Sequence, residues 1–241
     1  MADPTRLDVR VHAPLSAVRT ALTDPTALRT WLAEHADVEP PDKVEFWGRY
    51  TPEGDAPRQR LLRADDDGLR FAWRVGGEDT TVEISLAEEG AEATTVTLTQ
   101  SHPDADGVLR GFWALALANL VDHVEGRDLT PMCDYTSTDP RVELFIHASP
   151  DEVHRSLVDP EAWFGAPVRV VAAEPGRVEW DGGVVAESAE SGDGTKVVLT
   201  RSGTVDHGAW SEWLAGIAEL RRYHELAAWR AVAVDGPPPA R

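Results

Sequence analysis

The chain has 241 residues, of which 42% are hydrophobic and nine are Trp, a composition typical of folded globular proteins. Its formal net charge is −19, and acidic residues occur in both halves, so its surface repels phosphates and anionic lipid headgroups. We therefore expect neither a nucleic-acid partner nor a membrane partner. The single Cys excludes an intramolecular disulfide, and the absence of a signal peptide or an apolar run of membrane-spanning length predicts a cytoplasmic protein.

The chain opens with a predicted strand and two short helices. Leu7–His12 alternates apolar and polar residues, as a half-buried strand does. Ser16 is a candidate N-cap for a helix whose apolar residues follow at helical spacing. Asp24-Pro25 ends that helix, and Thr26–Trp31 reads as a second one. An acidic loop is then predicted over 33–45.

A run of antiparallel strands and one long helix complete the first half. The strands are predicted at Val44–Tyr50, Arg60–Ala64, Leu69–Val75, Thr80–Leu86 and Thr94–Gln100. The helix is predicted over Val108–Val124, because Trp113, Leu117 and Leu120 form a continuous apolar stripe. Gly126 supplies its stop. This order predicts an α+β design in which the helix packs on the sheet.

The second half repeats the first. Residues 146–163 match 11–28 at seven of eighteen positions, with a constant offset of 135. A period of that length indicates two copies of a domain. Strands and helices recur in the same order, up to a last helix predicted over about 208–231. We match that helix to the first at an offset of 97, on Gly111/Gly208 and Trp113/Trp210, which implies a deletion of 38 residues opposite 29–60.

Four segments follow from this repeat. Residues 1–128 are predicted to form a full domain, 129–141 a linker, 142–233 a shortened second domain, and 234–241 a disordered tail. Because the deletion removes a loop and a strand, the second domain is expected to have a smaller sheet and a poorer internal pocket. The functional site is therefore expected in residues 1–128.

An ordered set of short motifs carries a family resemblance. The first half has an opening strand that runs into Ala13-Pro14, then Asp24-Pro25 and Trp31, and it closes with G-x-W-x-x-x-L-x-x-L from Gly111 to Leu120. Both halves resemble the family of activators of the HSP-90 chaperone ATPase, within the START/Bet v-like (SRPBCC) superfamily. The resemblance implies two tandem helix-grip domains, in each of which a curved antiparallel sheet wraps a long C-terminal helix. It also implies a cavity between sheet and helix, in which many relatives bind apolar small molecules.

The candidate site residues are the aromatic side chains of the first half and a few polar ones. Core packing is the competing interpretation of the aromatic set, and a cavity wall for an apolar ligand is the functional one. His102 follows the last strand and is a candidate for the mouth of a cavity. The candidate ligand-binding residues are Trp31, Phe46, Arg60, Phe71, Trp73, Gln100, His102, Phe112, Trp113 and Asn119.

No catalytic or metal-binding signature is present in the sequence. We find no G-x-S-x-G elbow, Walker loop, C-x-x-C or H-E-x-x-H, so neither catalytic residues, nor a metal, nor a cofactor is predicted. Three functions remain open: non-catalytic binding of an apolar small molecule in the first domain, a protein-interaction role such as a chaperone accessory, and a cyclase acting on an aromatic polyketide.

Overall fold

A computed structural model describes residues 5–56, 58–101, 108–164, 167–203, 205–227, 229 and 231–234. The chain begins with strand Thr5–Val11 (β1) and the helices Leu15–Thr23 (α1) and Pro25–Trp31 (α2). Asp24 caps α2, since its carboxylate accepts hydrogen bonds from the N–H groups of the next helix. Ser16 was predicted to cap α1, but it lies inside the helix. The helix already begins at Leu15, and the Pro14 carbonyl accepts its first hydrogen bonds.

The predicted acidic loop over 33–45 is a β-hairpin instead. Strand His35–Glu39 (β2) pairs antiparallel with strand Lys43–Trp47 (β3). The alternating residues Ala36 and Val38 on β2, and Val44 and Phe46 on β3, give the hairpin one buried apolar face. This apolar face is sufficient to hold the segment as strands despite its acidic outer residues.

Sheet 1 contains six strands in the order β13-β1-β7-β6-β5-β4, and it packs on a long helix. The helix spans Val108–Val124 (α3), as predicted, and Gly126 follows it with φ +70°. Buried residues lie all round α3 and not on one stripe alone, which indicates that it is covered on more than its sheet side. The strands between β3 and α3 in the chain are Arg60–Asp65 (β4), Gly68–Val75 (β5), Glu78–Glu88 (β6) and Thr94–Gln100 (β7).

Sheet 2 contains five strands in the order β8-β12-β11-β10-β9, and it packs on a second long helix. That helix, His207–Glu225 (α6), ends before the predicted limit of 231, because the backbone turns extended at Leu226. Strand Ala233–Val234 (β13) then pairs with β1, so Val234 belongs to sheet 1, whereas the rest of the predicted tail, 235–241, lies outside the described residues. The remaining elements are Arg141–Ile146 (β8), Pro150–Val158 (α4), Glu161–Phe164 (α5), Val170–Glu174 (β9), Arg177–Trp180 (β10), Val184–Ser191 (β11) and Gly194–Arg201 (β12).

The two halves share strand register. Leu7 of β1 lies opposite Leu98 of β7, and Val142 of β8 lies opposite Leu199 of β12. The first residues of these pairs are 135 positions apart and the second are 101 apart, as the sequence match requires. In each half, an antiparallel sheet packed on a long C-terminal helix is the arrangement expected of a helix-grip domain.

The ends of the long helices correct the predicted helix correspondence. Glu125 Oε1 accepts a hydrogen bond from the His12 N–H at 2.9 Å, and Glu225 Oε1 accepts one from the His147 N–H at 3.0 Å. These two glutamates are 100 positions apart, not 97. These hydrogen bonds match the two helix ends about one turn away from the match that the Gly-x-Trp letters predict.

Helices α3 and α6 pack directly against each other. A Cβ atom on Gly111 would lie 2.3 Å from Ser211 Oγ and 2.7 Å from the Glu212 backbone nitrogen, so the helices cross where Gly111 allows close approach. At their C-terminal ends, the buried Asp122 carboxylate accepts hydrogen bonds from Arg221 Nη2 at 2.7 Å and from Arg127 Nε at 2.8 Å. The helix–helix contact thus joins the two halves through both close packing and buried charge.

The segment predicted as a linker packs on the first half. Thr130 and Cys133 are buried, and the Tyr135 N–H donates to the Arg49 carbonyl oxygen at 2.8 Å. These contacts place residues 130–135 beside α3 and next to the segment that follows β3. They also make this segment part of the candidate site.

Candidate functional site

Five of the predicted site residues form a closed aromatic cluster between sheet 1 and α3. Their ring centroids lie 4.7 to 6.2 Å apart, mostly in edge-to-face arrangements, and each side chain is at most 4% exposed. The rings pack directly against each other. The members of this aromatic cluster are Phe46, Phe71, Trp73, Phe112 and Trp113.

Two indole groups in the aromatic cluster differ in their hydrogen bonding. Trp113 Nε1 donates to the buried Gln100 Oε1 at 2.6 Å, and Gln100 Nε2 donates to Thr80 Oγ1 at 3.1 Å. Trp73 Nε1, in a side chain that is 1% exposed, has no hydrogen-bond partner among the described residues. An unpaired donor in such a place is rare in folded proteins and calls for an explanation.

A narrow apolar cleft borders the aromatic cluster on the other side of Phe112. Its free volume is about 10 Å³, which is the space of about one water molecule. Tyr50 and Met132 are its partly exposed lining residues and stand at its rim. The cleft is lined by Trp31, Leu32, Tyr50, Phe112, Leu115, Ala116, Asn119, Met132 and Cys133.

The one side-chain amide in the cleft lining is hydrogen-bonded to the protein backbone through both its nitrogen and its oxygen. Asn119 Nδ2 donates to the Thr130 carbonyl oxygen at 2.9 Å, and Asn119 Oδ1 accepts from the Thr130 N–H at 2.9 Å. Thr130 Oγ1, also buried, has no partner. Asn119 therefore holds the segment that covers the cleft and presents little free polarity to it.

The single thiol of the chain lies in the cleft wall. Burial raises the pKa of Cys133 to about 12, an effect larger than that of the hydrogen bond from Tyr135, which would lower it. The thiol therefore stays protonated at neutral pH. It behaves there as a small apolar group rather than a nucleophile.

The corresponding place in the second half is filled. Trp31 Nε1 donates to the Ala21 carbonyl oxygen, and Trp163 Nε1 donates to the Ser156 carbonyl oxygen. The two acceptors are 135 positions apart and the two indoles 132 apart, so these hydrogen bonds match Trp31 with Trp163 and Leu32 with Phe164, not Leu28 with Trp163 as the constant offset predicted. At the offset of 100, Ala116 corresponds to Gly216 on α6. There, a Cβ on Gly216 would lie 2.5 Å from the Phe164 ring, so that ring rests on the helix backbone.

The structure brings some predicted residues together and separates others. Trp31, Phe112 and Asn119 line the cleft. Gln100 accepts a hydrogen bond from the aromatic cluster. Arg60 is exposed on edge strand β4, away from both, and His102 lies outside the described residues. Sequence reasoning missed the small and aliphatic lining residues and the whole of segment 130–135. The only signal in the sequence was the apolar pair Met132-Cys133 within a segment predicted as a linker. The missed lining residues are Leu32, Tyr50, Leu115, Ala116, Met132 and Cys133.

The described residues lack both a metal-binding cluster and a membrane-spanning helix. They contain no group of three or more His, Cys, Asp or Glu placed to hold a metal ion. Across the same residues, no helix has both the length and the apolar character needed to cross a membrane.

Comparison with known proteins gives distant structural likenesses. No protein-family profile and no curated protein matches the chain. The crystal structure of CalU16 from Micromonospora echinospora is 23% identical over 51% of this chain and 74% of its own, with a TM-score of 0.42. DynU16, a protein in the dynemicin biosynthetic locus, is 18% identical over 93% of this chain and 100% of its own, with a TM-score of 0.41. An AHSA1-like protein from Rhizobium etli is 26% identical over 54% of this chain and 86% of its own, with a TM-score of 0.42.

Proposed function

We propose that the first half of the chain binds an uncharged, apolar small molecule in the cleft between α2, α3 and residues 130–135. One observation carries the proposal: apolar side chains from separate elements surround a gap in the first half, and the ring of Phe164 fills the corresponding place in the second. Ligand sites are typically concave and mostly apolar. A gap that one half keeps and the other half fills is the feature expected of a site that one copy uses.

Binding requires the cleft to widen. Its free volume of about 10 Å³ is far below the roughly 300–1,000 Å³ of ligand pockets. Tyr50 and Met132 are the side chains whose movement opens it, because they lie at the rim and are partly exposed. Met is the more adaptable of the two, since its unbranched side chain has three rotatable bonds.

The chemistry of the lining favours binding over catalysis. Tyr50 and Cys133 are its only titratable residues, and the Cys133 thiol stays protonated because burial raises its pKa to about 12. General acid–base work needs a group with a pKa near the operating pH within reach of the reacting atoms. An apolar guest without a charge suits this lining, since a buried charge would have no partner there.

A reciprocal transplant tests the proposal. The probe is N-phenyl-1-naphthylamine, a neutral dye that fluoresces when it leaves water. The double variant L32F/A116G copies the Phe164–Gly216 pair into the first half, and F164L/G216A makes the reverse change in the second. We expect L32F/A116G to weaken dye binding at least tenfold and F164L/G216A to leave dye binding to the first half intact.

The circular dichroism melting curve of each variant shows that it is folded, since a helical Gly costs about 1 kcal/mol relative to Ala. Equal dye affinity in the wild type and L32F/A116G would place the dye elsewhere and reject the cleft as the site. Absence of dye binding to the folded wild type would reject the proposal for neutral aromatic ligands of this size.

We also propose that the two halves are copies of one helix-grip domain, at 1–128 and 142–233. Matching hydrogen bonds support this: Thr94 Oγ1 donates to the Ala13 carbonyl oxygen at 2.9 Å, and Thr195 Oγ1 donates to the Ala148 carbonyl oxygen at 2.8 Å. The shared strand register and the paired helix-end glutamates are consistent with the same origin. In this interpretation, the second copy supports α3 and leaves binding to the first.

A further inference from the structure

We infer that Trp73 Nε1 is the hydrogen-bond donor for the ligand, which is therefore an uncharged aromatic or alicyclic molecule that carries an acceptor oxygen, such as a carbonyl or ether. This inference rests on the proposed function and specifies its ligand class. The indole N–H is buried and unpartnered. A donor left unpaired in a low-dielectric interior costs free energy, and an acceptor on a guest molecule removes that cost.

Aromatic rings pack against the Trp73 indole. Its neighbours in the aromatic cluster are Phe46, Phe112 and Trp113, with centroids 5.5 to 6.0 Å away. The nearby amide of Gln100 is committed, since its oxygen accepts from Trp113 and its nitrogen donates to Thr80. The Thr80 hydroxyl in turn donates to the Trp73 carbonyl oxygen at 2.7 Å. Within the aromatic cluster, Gln100 and Thr80 are hydrogen-bonded, whereas the Trp73 indole N–H has no acceptor among the described residues.

Phe112 connects Trp73 to the cleft. Its ring lines the cleft, and the same ring packs on the Trp73 indole with centroids 5.8 Å apart. A guest that displaces Phe112 from this contact would lie against the Trp73 indole in its place. The guest then replaces one aromatic contact of Trp73 and supplies the acceptor that the protein lacks.

Two fully buried indoles of the second half each have a backbone acceptor. Trp180 Nε1 donates to the Leu157 carbonyl oxygen at 3.2 Å, and Trp163 Nε1 donates to the Ser156 carbonyl oxygen at 2.7 Å. Trp180 occupies the same position in sheet 2 as Phe71 does in sheet 1. Phe71 lies opposite a Val whose other partner is the residue after Thr99. Trp180 lies opposite a Val whose other partner is the residue after Thr200. Trp73 lies two residues further along a longer hairpin, where the second half has no strand.

Two probes of matched shape test the inference. 2-Acetylnaphthalene carries a carbonyl acceptor and 2-ethylnaphthalene does not, and the affinity of each follows from displacement of N-phenyl-1-naphthylamine. We expect the wild type to prefer the acetyl probe about tenfold, and W73F to bind both within about twofold of each other. T130A, which removes the other unpartnered buried donor near the cleft, is expected to keep the preference.

A measurement on the unmodified chain gives the same answer if W73F does not fold. In a ¹H–¹⁵N spectrum, the assigned Trp73 indole resonance is expected to move downfield with the acetyl probe and to move much less with the ethyl probe. W180F serves as a control, since its loss of stability should exceed that of W73F, because only Trp180 gives up a hydrogen bond.

The outcomes separate the two proposals. If both probes bind the wild type equally, or if W73F keeps the tenfold preference, the donor role of Trp73 is wrong and the cleft still binds ligands. Loss of the preference in T130A alone would move the donor to Thr130 and overturn the inference. If neither probe nor the dye binds, the proposed function itself fails, and the inference fails with it.

Discussion

Asn119 illustrates how one polar side chain decides the shape of the candidate site. Its amide makes two hydrogen bonds with the backbone of Thr130, and its side chain is fully buried. These bonds fix the segment that carries Met132 and Cys133 over the cleft. The residue that sequence reasoning offered as a ligand contact is therefore also the anchor of the cleft wall.

Replacing Asn119 should loosen that wall. N119A leaves the N–H and carbonyl of Thr130 without partners, which is expected to lower the free energy of unfolding by about 2 kcal/mol. Urea denaturation monitored by circular dichroism measures the loss. N119D is a sharper variant, because a carboxylate oxygen would then face the Thr130 carbonyl oxygen, and it should cost more than N119A. Wild-type stability in both variants would show that the pairing does not hold the segment.

Sequence reasoning at the residue scale identified candidate polar residues but not their partners. Gln100 and Asn119 were candidates for the few polar groups of a mostly apolar pocket, and both are fully buried. Their partners, Trp113 and Thr130, depend on how α3 lies against the sheet and on where the chain returns after it. Arg60 was chosen on the same grounds, yet it is exposed, because β4 is an edge strand with an outward face.

At the scale of elements, the ends of the long helices are tied to the first strands of their sheets. Glu125 follows α3 and accepts from the N–H of His12, the residue after β1. Burial would raise the pKa of Glu125, but the His12 N–H and the Arg127 guanidinium outweigh it, and the pKa lies below its ordinary value of 4.5. A carboxyl group with a lowered pKa stabilises the fold above pH 4.5, and that contribution is lost as pH falls through the folded-state pKa.

A Gln at this position should remove that pH dependence. E125Q keeps an oxygen that can accept from His12 but loses the charge beside Arg127, so its free energy of unfolding is expected to fall by about 1 kcal/mol at pH 7. The deficit should shrink as pH is lowered from 5 to 3, because wild-type Glu125 becomes protonated. E225Q, at the matching helix end, controls for the change of carboxylate to amide. A deficit for E125Q that stays constant from pH 7 to pH 3 would show that Glu125 is not the titrating group.

Elements were predictable where local pattern and tertiary burial agree. The bounds of α3 follow from its apolar spacing and from Gly126, and the structure has the same bounds. Strand β2 was missed because acidic residues mask its short alternation, whereas β3 overlaps the predicted strand Val44–Tyr50. The helix correspondence was placed one turn out because repeated letters at a helix start do not fix its rotation; the hydrogen bonds at the helix ends do.

At the scale of the whole molecule, α3 and α6 form the shared core between the two sheets. Asp122 is fully buried, and breaking a buried pair on one side costs several times what a surface pair does. Trp229 Nε1 donates to Glu219 at 2.8 Å, which directs the chain from α6 toward β13 and sheet 1. The halves are therefore joined by helix packing, by buried charge and by a strand.

This joining could not be predicted from the sequence. The repeat indicated two domains and a linker. The sequence did not show that a second helix packs against α3, which is the reason that α3 is buried all round. Likewise, the cleft lies between four segments that are distant in sequence, namely Trp31-Leu32, Tyr50, α3 and Met132-Cys133. A pattern within one segment carries no information about a gap formed between four.

Labelling of Cys133 with N-ethylmaleimide, with and without saturating N-phenyl-1-naphthylamine, tests the central claim most directly, because the only thiol of the chain lines the cleft. Since burial raises the pKa of Cys133 to about 12, labelling of the free protein at pH 8 should already be slow. If the cleft is the binding site, the dye slows labelling at least a further tenfold in the wild type and in F164L/G216A, but not in L32F/A116G. Dye fluorescence that saturates while the labelling rate stays unchanged would show that the ligand binds elsewhere, and the claim would be wrong.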